Sequence, residues 1–415
     1  MVFIVIEGIS LVIATSTERQ HIIPAMDRME NRASAGPLTV LFRQRWPPVK
    51  EQRYLLGVRG LLVIQAFVWV FLQTFVPAAV KDSNNSTGPN YQVILRKSLS
   101  VLFWNESLIY SAFIFLSART VCIPFLRDST KTSVASACFR RGVRLWFPVA
   151  VALAIVKVTF SKIGLDYVDR FKEITGNTSF ETPYPLSSFI IYFNSVFNLF
   201  WTTFNFSSQA GSLAFPAQTL WVVNVVYAQS YTVYMTMVVI PYTRNRWRVE
   251  AAIIFILTAW WVQSWAWYSI TGLLLADAVM NMDFKARVPH GVPIWRTPLR
   301  CPLWLIYIFL MAAGLTMQYL WVAWRPESSN IELEGHTGLY YTGGLNTDYS
   351  LIQPQARDDN YLFLLGFFLL LESSDFVQWL FDNQFFVYLG SRSLSKSSSC
   401  ILALSLISTK VRNDC

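Results

Sequence analysis

Gly60–Val80 reads GLLVIQAFVWVFLQTFVPAAV, without a charged side chain and without a proline before Pro77. A bilayer core takes roughly 17–25 residues of helix to cross. Lipid offers backbone amides no partners, so a run of this kind must be a helix packed on other helices. The same pattern recurs at 99–118, 145–161, 219–241, 251–279, 303–324 and 361–381. These runs predict an all-α fold, a polytopic transmembrane helix bundle of roughly 7–9 spanning helices.

The bulk composition agrees. With 53% hydrophobic and 14% charged residues, a 415-residue chain has too little polar surface to coat a water-soluble globule. A net charge of +9 raises the question of nucleic acid. The basic residues instead gather at the ends of the apolar runs, where lipid headgroups and topology account for them, so the expected partner is the bilayer and not nucleic acid. Cys122, Cys138, Cys301, Cys400 and Cys415 show neither CxxC nor metal-ligand spacing and are expected to be free thiols, with no metal site.

Charge also sets the expected topology. Arg43, Arg45, Lys50 and Arg53 precede the first run and an Asn/Ser-rich loop at 82–90 follows it, which puts the N-terminus in the cytoplasm. The second run then delivers the chain to Arg127, Lys131, Arg140, Arg141 and Arg144, the densest basic patch, on the same side. Asp166, Asp169, Glu173 and Glu181 and the sequon Asn177-Thr178-Ser179 mark 162–188 as lumenal. Both flanks of 251–279 are basic, which one span cannot satisfy; two short helices meeting near Gln263–Trp267 resolve the conflict. The domains expected are a cytoplasmic arm at 1–53, a membrane domain at 54–392 and a divergent or truncated tail at 393–415.

Val58-Arg59-Gly60-Leu61-Leu62, Ala112-Phe113-Ile114-Phe115-Leu116-Ser117, Arg140-Arg141-Gly142-Val143-Arg144-Leu145 with Pro148, Leu220-Trp221, and Phe386-Val387-Tyr388-Leu389-Gly390 follow one another in that order. Together they resemble the signatures of the acyltransferase-3 family of integral membrane proteins, particularly its fungal branch: LRGxA, FFVLSG, RRxxRIxPP, LWxxxVE and FxYLGxxSxSLY. The resemblance implies a membrane-bound O-acyltransferase that takes an acyl group from acyl-CoA, as donor substrate with no tightly bound cofactor, and passes it to a hydroxyl of a sugar, lipid or small molecule. The alternative is a noncatalytic acyltransferase-3-like relative or a small-molecule transporter that keeps the helical scaffold without the base. The family's histidine, about eleven residues after the signature arginine, falls on Val70, and its glutamate falls on Val226.

Arg59, Arg119, Arg140, Arg141 and Arg144 are the candidate acyl-donor-binding residues. Arg140 and Arg144 share a helix face, with Arg141 beside it. At a helix N-terminus such guanidiniums would want an anion such as a CoA phosphate; anchoring on anionic lipid is the simpler reading. Charged groups inside spans are costly and face a partner or cavity, which singles out Glu106, Asp277, Glu372 and Asp375. Glu372 and Asp375, three apart, would form a carboxylate pair for proton transfer if they share a face. His336, expected on a flexible lumenal segment, is the third weak candidate for the catalytic base. Arg357-Asp358-Asp359-Asn360 reads as an acceptor-sugar contact or as a helix cap. Trp260, Trp261, Trp265, Trp267 and Tyr268 read as an interfacial belt or as the wall of an acyl groove. An HxxxxD box, a GxSxG elbow, a Walker A loop and an HExxH motif are all absent.

Overall fold

The computed structural model describes residues 52–81, 88–127, 130–178, 181–202, 205–282, 284–293, 300–337, 345 and 354–391. Residues 1–51 of the expected arm at 1–53, residues 82–87 of the Asn/Ser-rich loop and the tail at 393–415 lie outside them.

Helices dominate what is described. In chain order they are α1 (Arg53–Phe75), α2 (Asn90–Ser98), α3 (Glu106–Val121), α4 (Lys131–Ile163), α5 (Asp166–Thr175), α6 (Phe189–Trp201) and α7 (Trp221–Val239). There follow α8 (Asn245–Trp261), α9 (Ala266–Asn281), α10 (Leu303–Tyr319), α11 (Asp358–Ser373), α12 (Asp375–Phe381) and α13 (Gln384–Ser391), with single turns between several of them. The described strands form one antiparallel pair, Val292 opposite Cys301 and Pro293 opposite Arg300.

The helix ends follow local chemistry. α1 stops before Pro77, which has no amide hydrogen to continue the ladder. The hydroxyl of Thr130 accepts the Ser133 amide and starts α4. α5 ends at Gly176 in the left-handed region, φ 62°. The α8–α9 break contains Gln263 at φ 55°. The stretch 251–279 is thus two helices packed on each other, with Arg246 and Arg248 in the first turn of α8 and Lys285 and Arg287 beyond the end of α9.

Five described helical segments are long and apolar enough to cross a bilayer: Arg53–Phe75, Ser100–Arg127, Thr132–Lys162, Trp221–Tyr242 and Leu303–Trp324. A sixth is reached if α11 and α12, bent by 100° at Ser374, are taken as one broken span. Among the described residues the expected seven to nine spans are thus not confirmed: 251–279 divides into helices of 17 and 16 residues and 361–381 is broken. α4 also shows what its outer face needs: Val143, Phe147, Val151, Ile155 and Val158 form an exposed apolar stripe suited to lipid tails.

α3 occupies the centre, with α1, α7, α9 and α11 packed against it. Its Ile109, Ile114 and Phe115 are fully enclosed, and Phe115 stacks on Phe368 of α11 at 4.5 Å between ring centres. Two helix pairs approach closely enough to require glycine. α1 and α13 meet at Gly60 and Gly390, where a side-chain carbon would run into the facing backbone. α10 and α11 meet at Gly314 and Gly366, where an added Cβ would stand 2.6 Å from Phe363 N and from Tyr307 O respectively.

Candidate functional site: arginines on α1 and α4

Arg141 points from α4 into the bundle. Its Nε donates to Ser230 Oγ of α7 at 3.0 Å, and its Nη2 donates to Ser117 Oγ of α3. Arg59 of α1, Arg144 of α4 and Tyr234 of α7 all lie within electrostatic reach of it. Two further guanidiniums, one on α1 and one on α4, thus lie within electrostatic reach of Arg141, and the groups that hold Arg141 are neutral hydroxyls. Like charges gathered in this way repel, and a multiply charged anion would relieve them.

Arg140 differs. Its guanidinium folds back along α4 onto Ser136, with Nε 2.7 Å from Ser136 Oγ. The arginines are also not at a helix N-terminus, as the sequence suggested. α4 begins at Lys131 and runs through Pro148 without interruption. The macrodipole fades within the first turn, so anion affinity here rests on the side chains alone.

Arg119 has another partner. It is fully buried, and its Nε and Nη2 lie 3.0 and 2.9 Å from Glu372 Oε1. Tyr54 Oη donates to Glu372 Oε2 at 2.6 Å, so one carboxylate ties α1, α3 and α11 together. Asp375 does not join it. The bend at Ser374 abolishes the shared helix face, and Asp375 is exposed and ion-paired with Lys285. The carboxylate pair expected for proton transfer is therefore not formed. The other charges in apolar runs are accommodated too. Asp277 receives Arg248 Nη1 at 2.9 and 3.1 Å and clamps α8 to α9. Glu106 lies in the first turn of α3, where a negative charge suits the helix dipole, with Tyr110 beside it. Asn224 donates to the carbonyls of Leu199 and Thr202 at the end of α6.

His336 is not on a solvated segment. It is 5% exposed, its Nε2 lies 3.4 Å from Asp358 Oδ2, and its ring stands edge-on to Trp260 at 5.0 Å. Asp358 also accepts the Trp260 indole N–H at 2.7 Å. Burial lowers the proton affinity of His336, but its hydrogen bond to Asp358, the charges of Asp358 and Glu332 and the backbone of Trp261 outweigh it, and the pKa is raised. From Asp358 to Glu372 is fourteen residues of α11, or about 21 Å. The histidine and the arginines thus occupy opposite ends of the bundle.

The tryptophans are core residues more than a belt. Trp265, Trp267 and Tyr268 are buried, Trp260 is half-buried, and Trp261 alone of the five is exposed. Val70 and Val226, at the positions of the family's histidine and glutamate, pack among apolar neighbours, and the Val226 carbonyl accepts the Ser230 hydroxyl at 2.6 Å. Glu332 and Ser230 went unnoticed in the sequence, and Ser117 entered only as part of a signature, without a role. Ser230 carried a weak signal, a polar residue one turn beyond Val226; Glu332 carried none, since its partners lie 25 to 27 residues away. Among the described residues no group of three or more His, Cys, Asp and Glu side chains is placed to hold a metal. Comparison with family models, curated proteins and solved structures finds no match to this chain.

Proposed function

We propose that this protein is a membrane-bound acyltransferase of the acyltransferase-3 type that binds acyl-CoA through its phosphates at Arg59, Arg141 and Arg144 and passes the acyl group to a hydroxyl-bearing sugar, lipid or small molecule. The observation that carries the proposal is the gathering of guanidiniums from α1 and α4, with Arg141 held by the serine hydroxyls of α3 and α7. Arg suits bidentate contact with phosphate, and a desolvated cluster binds it more strongly than scattered surface charges do. Positive-inside bias puts this end of the bundle, and the N-terminus, on the cytoplasmic side of a multi-pass protein, where acyl-CoA is found. Arg140 bonds to Ser136 and Arg119 to Glu372, so neither is counted among the phosphate contacts.

A second reading is favoured by one observation. None of the candidate bases His336, Glu372 and Asp375 stands free beside the arginines, and valines occupy positions 70 and 226. A relative that binds or transports an acylated donor without turning it over fits those residues. The test is direct. Purified protein in lipid nanodiscs is titrated with a long-chain acyl-CoA, then assayed for release of free thiol with and without hydroxyl acceptors. Arg141→Gln should weaken binding at least tenfold, because one charge-assisted hydrogen bond is worth roughly 1.5–3 kcal/mol. Binding with thiol release supports the transferase, and binding without release supports the noncatalytic relative. Absence of binding, or equal binding by Arg59→Gln, Arg141→Gln and Arg144→Gln, would remove the donor site.

A further inference from the structure

The chain between α10 and α11 returns across the end of the bundle as a short strap, Asn330–Thr337. Leu333 is its buried plug. The Glu332 carboxylate accepts the backbone N–H groups of Asp358 and, at 3.3 Å, Asp359, the first amides of α11, and it pairs with Arg357 Nη2 at 3.3 Å. A glutamate from a remote segment thereby caps this helix. His336 attaches to Asp358 four residues later in the strap. Thr337 then donates through its N–H and its hydroxyl to the carbonyl of Trp261, the last residue of α8, at 3.3 and 3.1 Å. The strap ties the end of α8 to the start of α11, and two of its fastenings are titratable.

We propose that Asn330–Thr337 is a proton-sensitive latch, which closes over Trp260 at the α8–α11 end of the bundle when Glu332 and His336 carry protons and loosens when they lose them.

The groups facing these two are Arg357, Asp358 and Asp359 at the start of α11, with Tyr268 of α9 and Tyr361 of α11 nearby. Burial, and then the charge of Asp359, push Glu332 up from 4.5 to about 7, against the opposing pull of Arg357. His336 is raised above 6.5. Both groups bind a proton more tightly in the docked strap than in a released, solvated one. Docking is therefore strongest at acid pH. It weakens as pH climbs from about 4.5 through 7 for Glu332, and again as pH passes 6.5 for His336. A protonated Glu332 still caps α11, because a neutral carboxyl keeps an oxygen that accepts amide hydrogens. Released, its charge escapes burial and the repulsion of Asp358 and Asp359.

Hydrogen–deuterium exchange of the full chain in nanodiscs reads the latch without any acyl donor, so the outcome does not depend on the donor site. After correction for the intrinsic pH dependence of exchange, protection of the 331–337 amides should fall at least tenfold between pH 5.5 and pH 8.5, while α9 amides stay level. One linked proton accounts for up to about tenfold per pH unit over its window. Glu332→Gln, an uncharged isostere of the protonated side chain, should stay docked to higher pH and flatten the profile, and His336→Gln should remove the remaining alkaline limb. A level wild-type profile, or a Glu332→Gln profile as steep as the wild type, would overturn the proposal.

Discussion

Replacing Glu372 by leucine removes the acceptor that serves Arg119 and Tyr54 together. Arg119 is fully buried and Glu372 is 2% exposed, so water cannot take the place of the lost carboxylate. Breaking one side of a buried ion pair leaves a stranded charge and costs roughly 3–5 kcal/mol. The Tyr54 hydroxyl, at 2.6 Å from Glu372, loses a hydrogen bond to a charged group as well, roughly 1.5–3 kcal/mol. The two terms share one acceptor and do not simply add, which puts the expected loss near 4 kcal/mol. The double variant Glu372→Leu/Arg119→Met removes the stranded charge too. Its desolvation cost disappears with the pair, so it should recover most of the loss. Equilibrium unfolding in mixed micelles, followed by tryptophan fluorescence, measures both. A single variant within 1 kcal/mol of wild type, or a double variant no better than the single, would refute the view that this carboxylate is a structural tie between α1, α3 and α11.

Gly60→Val and Gly390→Val should each separate α13 from α1, because a side chain at either position meets backbone rather than a movable side chain; a loss of 1–3 kcal/mol or more in unfolding free energy checks this. Asp375→Ala should change stability by less than about 1 kcal/mol in the same assay, since its partner Lys285 is half-exposed and Asp375 itself lies in solvent. Val226→Glu places a carboxylate one turn from Ser230 and so beside Arg141, and it should lower acyl-CoA affinity by neutralising the cluster; isothermal titration at two salt concentrations would register both the loss and a weaker salt dependence.

Gly60–Val80 and its counterparts made the helices visible because hydrophobic length is a local property. The basic flanks of 251–279 made its break visible for a similar reason, since charge placement constrains which side an end can occupy. The carboxylates were harder to place. Glu372 and Asp375 look like one face when only their spacing is known, and the bend at Ser374 undoes that face. His336 looked solvated because its neighbours in sequence are glycine and threonine, whereas its neighbours in space are Trp260 and Asp358, more than twenty residues away in either direction.

The amino-acid sequence by itself determined that the chain is helical, that several helices can cross a bilayer and where the positive charges lie, because each follows from the composition of a single segment. The tertiary structure decided which charges are spent on one another: Arg119 on Glu372, Arg248 on Asp277 and Lys285 on Asp375. It also decided that Arg59 and Arg144 lie within electrostatic reach of Arg141. In a low-dielectric bundle the free energy of a charge is set by what stands within a few ångströms of it, and helices far apart in the chain supply those neighbours.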